Sequence, residues 1–193
     1  SVAPLFEGFE SANEPMDAGW KAVNVNDDNG FTVSNAAAFS GSKSIRLLNS
    51  VSMDGRTDQL VSPTIDMSAA TDITLSFRFA YARRSNTSAD QLRVFVSSDC
   101  GQTWSMCVQL FGTTELYTGG IQAGSFVPGG PGQWGYREVT TINNGFHVSN
   151  MRIRFDFTSD GGNNFYLDDI NLNGGPVGLH EWASSSAHAV YVM

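Results

Sequence analysis

The chain has 193 residues, only 16% of them charged, and acidic residues outnumber basic ones 19 to 11. Its 20 glycines and its shortage of Glu, Lys and Leu argue against a helical bundle. The net charge of −8, with no clustered basic stretch, disfavours a nucleic acid as partner. No apolar run approaches the roughly 20 residues that span a bilayer, so we expect no membrane insertion.

Alternation of apolar and polar residues, the pattern of a half-buried antiparallel strand, dominates the chain. Gly, Pro, Asn or Asp occupies nearly all the gaps between the alternating segments. The pattern therefore predicts an all-β fold, a two-sheet antiparallel jelly-roll β-sandwich. The predicted strands cover residues 31–34, 44–48, 59–62, 73–81, 92–96, 136–142, 151–157 and 165–172.

A turn motif directly follows the strand at 92–96. Residues 97–104, Ser-Ser-Asp-Cys-Gly-Gln-Thr-Trp, match S-x-D-x-G-x-T-W, the Asp-box, at every defined position. We expect Asp99 to accept hydrogen bonds from turn amides, Gly101 to adopt a conformation that other residues resist, and Trp104 to pack beneath as a core aromatic. Asp-boxes recur several times in sialidase propellers. Because this chain has one, we interpret it as a self-stabilising hairpin; direct ligand binding by the turn is the alternative.

The two cysteines, Cys100 and Cys107, are seven residues apart. This spacing fits no common zinc pattern. It leaves two interpretations open: a disulfide across a tight hairpin, or two half-buried thiols that act as small hydrophobes.

The longest gap between predicted strands, residues 113–133, holds six Gly and two Pro and is predicted to be an exposed loop. After Leu172 the alternation stops, and residues 177–193, with three consecutive serines, are typical of a linker. We therefore predict one domain over residues 1–176 and a linker over 177–193, in a chain cut from a longer protein.

Acidic and amide residues gather near the two ends of the predicted fold. They comprise Glu7 and Glu10, an Asn- and Asp-rich loop at 24–30 that includes Asp27, and Asp168 with Asp169 in the last strand. Ca²⁺ requires six to eight oxygen ligands, which distant segments can supply together. Asp168 shares a strand face with Ile170 and Leu172, so we expect it to point inward, where a carboxylate needs a cation or several hydrogen-bond donors. Alternatively, the loop is a solvated turn and Asp169 an exposed charge.

The order of these pieces resembles the MAM-like jelly-roll modules, and among them the cleaved-adhesin type found in large surface or secreted proteins of Bacteroidetes. The resemblance covers residues 4–173. It is carried by Phe-Glu at 6–7 and 9–10, Pro15 with Gly19-Trp20, the loop at 24–30, Ser-Gly-Ser-Lys-Ser at 40–44, Asp-Gln-Leu-Val-Ser-Pro at 58–63, the long Phe-rich strand, the Asp-box and the closing Phe-Tyr-Leu-Asp-Asp-Ile at 165–170.

The resemblance implies a structural Ca²⁺ site formed by Glu10, Asp58 and Asp168, with Glu7 as an equally matching alternative to Glu10. The adhesin type often carries Asp-x-Asp-x-Asp-Gly in the loop after its Trp. Here Asn24 and Asn26 replace two of those acids, so a second site in that loop would be weaker.

The resemblance also implies a location and a context. Such modules commonly precede a type IX secretion sorting domain, joined by a Ser-rich segment, which implies a secreted or outer-surface protein. They often belong to metallopeptidases, whose catalytic part would lie upstream of this chain.

We predict that this chain itself is not an enzyme, because it contains no His-Glu-x-x-His, no Gly-x-Ser-x-Gly and no phosphate-binding Gly-rich motif. Two functions remain: an adhesin or interaction domain that binds a protein surface and neighbouring domains of its parent, or a carbohydrate-binding module. Candidate rings for glycan lie around the Gly-rich loop: Trp134, Tyr117, Phe126 and Tyr136.

Overall fold

The computed structural model describes residues 3–173, which form eleven β-strands. Within this range the helical segments are four 3-10 turns of three or four residues, and no α-helix occurs. The strands are β1 Leu5–Glu7, β2 Lys21–Asn24, β3 Phe31–Ser34, β4 Ser44–Leu47, β5 Thr57–Val61, β6 Leu75–Tyr81, β7 Gln91–Ser97, β8 Ser105–Phe111, β9 Gly135–Val139, β10 Arg152–Thr158 and β11 Phe165–Leu172.

The strands form two antiparallel sheets. One sheet has the order β3-β4-β11-β6-β9, with β1 also paired to β11, and the other has the order β2-β5-β10-β7-β8. The all-β jelly-roll sandwich predicted from the alternation is therefore confirmed. The predicted linker at 177–193 lies outside the described residues.

The core lies between the two sheets and is rich in aromatic side chains. Phe157 and Phe165, one from each sheet, stack with ring centroids 4.9 Å apart, and the rings of Phe77 and Phe155 meet edge to face at 5.2 Å. These contacts come from alternate positions of β6, β10 and β11, as the period of two requires.

β11 breaks that period once. Phe165 and Leu167 belong to the core, but so do Ile170 and Leu172, and the register against β6 shifts between Asp168 and Asn171. Asp169 absorbs the extra residue with a positive φ of 46°. The prediction that Asp168 shares a face with Ile170 is therefore wrong, because this β-bulge places Asp168 on the face of Tyr166.

Candidate functional site

The bulge in β11 lies where two other strands end. β4 pairs with residues 165–167 of β11 and β1 pairs with residues 170–172, while β6 occupies the opposite edge. β1 and β4 therefore follow each other along one edge, and Asp168 and Asp169 lie in the interval between them. The segment after β1 and the segment before β4 both reach this interval. We call Glu7, Glu10, Asp168 and Asp169 the acidic junction.

Asp168 is fully buried and accepts three backbone hydrogen bonds. Its Oδ2 accepts from the amides of Phe39, at 2.7 Å, and Ser40, at 3.4 Å, and its Oδ1 accepts from the amide of Asp169 at 2.8 Å. Asp169 is 3% exposed, which excludes the interpretation of this residue as an exposed charge, and its Oδ1 accepts from the Ser40 hydroxyl at 2.6 Å.

Both aspartates face the segment that leaves β1. A Cβ placed on Gly8 would lie 3.7 Å from Asp168 Oδ1 and 3.8 Å from Asp169 Oδ1. The two oxygens therefore converge on the backbone of Gly8. Next to Gly8, Glu7 Oε1 accepts a hydrogen bond from the amide of Phe9 at 2.7 Å.

The junction holds negative charge at an electrostatic cost. Burial, together with the charge of Asp169, raises the pKa of Asp168 to about 7. Burial also raises the pKa of Asp169, although the Arg78 guanidinium opposes this shift. The pKa of Glu7 is likewise raised by burial. Desolvation favours the neutral carboxyl, so a cation placed here would lower these pKa values again.

Glu10 lies at the exposed rim of the junction and holds the turn before β4. Its carboxylate accepts hydrogen bonds from the amides of Ser42 and Lys43 at 3.0 Å and from the Ser42 hydroxyl at 2.9 Å. Partial burial opposes ionisation, but these donors outweigh it and the pKa of Glu10 falls below its usual value. A Cβ on Gly41, whose φ is 64°, would collide with this carboxylate.

Two other residues predicted as ligands lie elsewhere. Asp58 is in β5 of the five-stranded sheet, opposite Asn24 and Phe157, and is 3% exposed. Burial and the charge of Asp28 raise its pKa to about 6, and Arg56 opposes the shift. Asp27 is an exposed loop residue with a φ of 52°, as expected of a solvated turn.

The residues that the resemblance implies as one calcium site are thus divided between two places. Glu7, Glu10, Asp168 and Asp169 meet at the acidic junction, whereas Asp58 has Asp28 and Arg56 as its electrostatic neighbours. Among residues 3–173, no three Asp, Glu, His or Cys side chains are arranged as ligands of one ion. The buried Asp168–Asp169 pair fits a hard divalent cation by its oxygen donors, but backbone amides already solvate Asp168.

The predicted hairpin turn joins β7 to β8. Asp99 accepts hydrogen bonds from the Thr103 amide at 2.9 Å, the Thr103 hydroxyl at 2.6 Å and the Ser97 hydroxyl at 2.7 Å, while Gly101 has a φ of 91°. The donors from Thr103 hold the pKa of Asp99 far below its usual range. Asp99 and Gly101 therefore have the structural roles predicted for them.

Trp104 is not a core residue. It is half-buried on the outer face of the five-stranded sheet, where the guanidinium of Arg154 lies 4.5 Å from its ring. The ring does pack beneath the turn, as predicted, since a Cβ on Gly101 would lie 3.1 Å from Trp104 Cζ2, but the prediction that it is a core aromatic is wrong. The sheet register instead directs it outward, since Val96 belongs to the core and pairs with Ser105.

Cys100 and Cys107 are both free thiols. Cys100 is exposed at the tip of the turn with a φ of 62°, whereas Cys107 lies in β8 with its Sγ 3.4 Å from the Val94 carbonyl oxygen. Burial raises the pKa of Cys107 to about 11, so this thiol stays protonated and behaves as a small hydrophobe.

The Gly-rich loop at 112–134 packs on the outer face of the six-stranded sheet. Trp134 is 8% exposed and Phe126 is fully buried. Both rings pack edge to face on Tyr166, with ring centroids 6.2 Å apart in each pair. These two candidate ligand-binding rings are therefore covered, because they fix the loop to the sheet. Tyr117 and Tyr136, 39% and 50% exposed, remain accessible.

A buried polar network that the sequence analysis missed holds the other side of this loop. Asp90 is fully buried and accepts hydrogen bonds from Tyr81 and from Asn49, both at 2.6 Å. Asn163 donates to the carbonyls of Gln122 and Gly124 and accepts from the amide of Phe126. Apart from Tyr81, at the end of β6, these residues lie outside the strands, so periodicity gave no signal for them.

The outer face of the five-stranded sheet carries polar side chains around two half-buried rings. Arg154 lies between the rings of Phe95, at 4.6 Å, and Trp104, at 4.5 Å, and pairs with Asp156 at 2.7 Å. Three glutamines lie on the same face: Gln59, Gln91 and Gln109. We call this surface the polar face.

None of the helical segments among residues 3–173 has the length and apolar character needed to cross a membrane.

Comparison with known proteins identifies the fold. No family model matches the chain, and no curated protein matches it in sequence. The K2 cleaved adhesin domain of Lys-gingipain superposes with a TM-score of 0.60 at 16% identity, covering 89% of this chain and 100% of that domain. The K1 domain of Lys-gingipain from Porphyromonas gingivalis W83 gives 0.58 at 19% identity, covering 90% and 99%.

Carbohydrate-binding modules share the fold to a similar degree. The Caldicellulosiruptor saccharolyticus module CBM27-1, solved with mannohexaose, gives a TM-score of 0.57 at 16% identity, covering 89% of this chain and 97% of that module. The chain therefore has an adhesin-like jelly-roll fold that non-catalytic adhesin and carbohydrate-binding domains also adopt.

Proposed function

We propose that this chain is a non-catalytic accessory domain of a larger secreted or cell-surface protein, stabilised by calcium at the acidic junction. Support for the accessory role comes from the fold, which is shared over nearly the whole length with adhesin and carbohydrate-binding domains. Such a domain binds the surface of a partner and so attaches its parent protein to that partner. We keep a metallopeptidase, exported by type IX secretion, as the expected parent.

The observation that carries the calcium proposal is the burial of two adjacent carboxylates where the first and last strands meet. An ion bound to Asp168 and Asp169, with Glu7 or backbone oxygens near Gly8, would link the start of the chain to its last described strand. The role is structural: the ion offsets buried negative charge in the folded state only, so it stabilises that state by mass action.

Thermal unfolding after dialysis against chelator tests the calcium site. Adding Ca²⁺ at a hundredfold excess over its dissociation constant is expected to increase the free energy of unfolding by about 2.7 kcal/mol. Asp168→Asn should abolish this gain. Asp58→Asn is the matched control, since Asp58 lies apart from the junction and its variant should still respond to Ca²⁺. A melting temperature that does not respond to Ca²⁺, in protein shown by elemental analysis to be metal-free, would refute the site.

A glycan is the second candidate partner, and one specific observation favours it. The polar face combines half-buried rings with amide and guanidinium groups, which bind sugar hydroxyls and pack on sugar rings. Affinity electrophoresis in gels containing xylan, mannan or acidic polysaccharide tests it: retardation by any one supports a carbohydrate-binding module. Migration unchanged in every gel would return the partner to a protein surface.

A further inference from the structure

The polar face is basic, although the chain as a whole is acidic with a net charge of −8. In β7 and β10, core residues alternate with the outward positions 93, 152, 154 and 156. In β2, Ala22 packs on the core, which turns Lys21 outward. Of the charged strand residues on this face, four are basic and one is acidic: Lys21, Arg93, Arg152, Arg154 and Asp156.

The single carboxylate does not neutralise this charge. Asp156 is 4% exposed and pairs with Arg154 through Nε, at 2.7 Å, and through Nη2, at 3.0 Å. This pairing consumes one positive charge and holds the Arg154 guanidinium between the two rings. Arg93, Arg152 and Lys21 remain to attract an anion. The carboxylate of Asp99, in the adjoining turn, is occupied by Thr103 and Ser97.

Arg93 also has hydrogen-bonding capacity that the described residues do not use. Its Nη2 donates to the Thr158 hydroxyl at 3.1 Å, but its Nε is buried and has no acceptor within the described part of the chain. A buried donor without a partner is costly, and it leaves the guanidinium of Arg93 held by its hydrogen bond to Thr158.

The strand register places the groups in a row across the sheet. Val23, Gln59, Asp156, Arg93 and Gln109 are direct neighbours on β2, β5, β10, β7 and β8. With strands roughly 4.8 Å apart, the row is about 19 Å long. Its two amides donate to and accept from hydroxyls, and its Arg93 guanidinium binds carboxylate or sulfate in a fork. The adjacent rings of Phe95 and Trp104 are partly covered by the Arg154 guanidinium.

We propose that the polar face binds an anionic polysaccharide, one whose sugar rings carry carboxylate or sulfate groups, with Arg93 and Arg152 as the anion-binding residues. The inference rests on the glycan candidate in the proposed function and names its ligand class. Charge complementarity selects an anionic chain, and the rings and amides select a polyhydroxylated one over an acidic peptide. The basic residues come from three strands far apart in sequence, so the sequence contains no basic run that would predict this surface.

Isothermal titration at low salt with polygalacturonate, heparin, xylan and poly-glutamate tests the proposal. We expect polygalacturonate or heparin to bind at least tenfold more tightly than xylan and poly-glutamate. The preference for one of the two identifies carboxylate or sulfate as the group read. Raising the salt from about 0.05 to 0.3 M should weaken that binding, because exposed charges are screened.

Arg93→Gln with Arg152→Gln should weaken anionic binding at least tenfold, while Arg137→Gln, an exposed residue of β9 on the other sheet, should leave it unchanged. If the double variant does not fold, Lys21→Gln on the exposed edge strand supplies a milder loss. Binding of xylan equal to that of the anionic polymers overturns this inference but leaves the glycan function intact. Tighter binding of poly-glutamate overturns it as well, and no binding of any polysaccharide refutes the glycan function itself.

Discussion

Gly162 lies at the most crowded contact of the buried polar network. A Cβ at this position would collide with the Asp90 carboxylate and with the Tyr81 hydroxyl, which hydrogen-bond to each other. Gly162→Ala is therefore expected to break this pair and to destabilise the fold by about 1–3 kcal/mol. For a domain of this size each kcal/mol lowers the melting temperature by roughly 2–4 °C, which differential scanning calorimetry resolves.

Gly132→Ala is the control for this prediction. A Cβ at Gly132 has no atom within 4 Å, so the same change of residue should leave the melting temperature nearly unchanged. If the two alanine variants have the same melting temperature, the Asp90–Tyr81 pair has room for a Cβ at Gly162 and the network is not tightly packed there.

At the same scale, Asp168 marks how far single residues could be predicted. Its burial, and its need for several donors or a cation, were predicted from a shared face with Ile170 and Leu172, and Asp168 is indeed buried. The face was wrong, because the bulge at Asp168–Asp169 arises where β1 and β4 meet along one edge of β11. Its donors at Phe39 and Ser40 are about 130 residues away in sequence, and no local pattern links them to it.

Among the elements, the Gly-rich loop is held by side chains that lie outside it, and Asn163 makes more hydrogen bonds to it than Asn164, Tyr166 or Arg84. Asn163 is fully buried, donates to two loop carbonyls and accepts from the amide of Phe126. Asn163→Ala would leave these groups without partners, at about 1–3 kcal/mol for each group that stays buried. We expect the loop at 112–134 to detach from the sheet before the sandwich unfolds.

Hydrogen exchange measures this detachment directly. In Asn163→Ala the amide of Phe126 should exchange much faster, while amides in β7 and β10 keep their protection. Asn143→Ala, which removes an exposed hydrogen bond to the amide of Gly145, is the matched control and should leave Phe126 protected. Equal protection of Phe126 in both variants would show that the buried rings and the hydrogen bonds from Asn164, Tyr166 and Arg84 hold the loop without Asn163.

The strands that the sequence predicted best are those in which core residues alternate with other residues. β3 and β11 begin and end as predicted, and β6, β7 and β10 differ by no more than two residues at either end, because alternation fixes such strands. Three strands were missed: β1 and β2, which have three and four residues, and β8, which the sequence implied only as the second arm of the predicted hairpin. The loop's buried rings were missed because contact with Tyr166 is a tertiary feature.

Across the whole molecule, charge is distributed unevenly between the two sheets. The six-stranded sheet carries the acidic junction, and the outer face of the five-stranded sheet carries four basic residues of its strands. The net charge of −8 does not reveal this division, because it is a sum over the whole chain and carries no information about where the charges lie. The same division places two buried carboxylates, Asp58 and Asp168, in separate sheets, where each titrates without the other as its main neighbour.

These two carboxylates predict how stability depends on pH when chelator keeps the protein free of metal. Burial raises the pKa of Asp58 to about 6 and that of Asp168 to about 7, so the folded state binds protons more tightly than the unfolded state. The free energy of unfolding should therefore fall as the pH rises from about 4 to 7, and level off above. Urea unfolding at steps of half a pH unit measures the free energy of unfolding.

Two variants assign the slope to its residues. Asp168→Asn should remove the part of the slope nearest pH 7, and Asp58→Asn should remove the part nearest pH 6. Saturating Ca²⁺ should flatten the wild-type curve, because it favours ionised Asp168. A free energy of unfolding that rises through this window in chelator would contradict both raised pKa values.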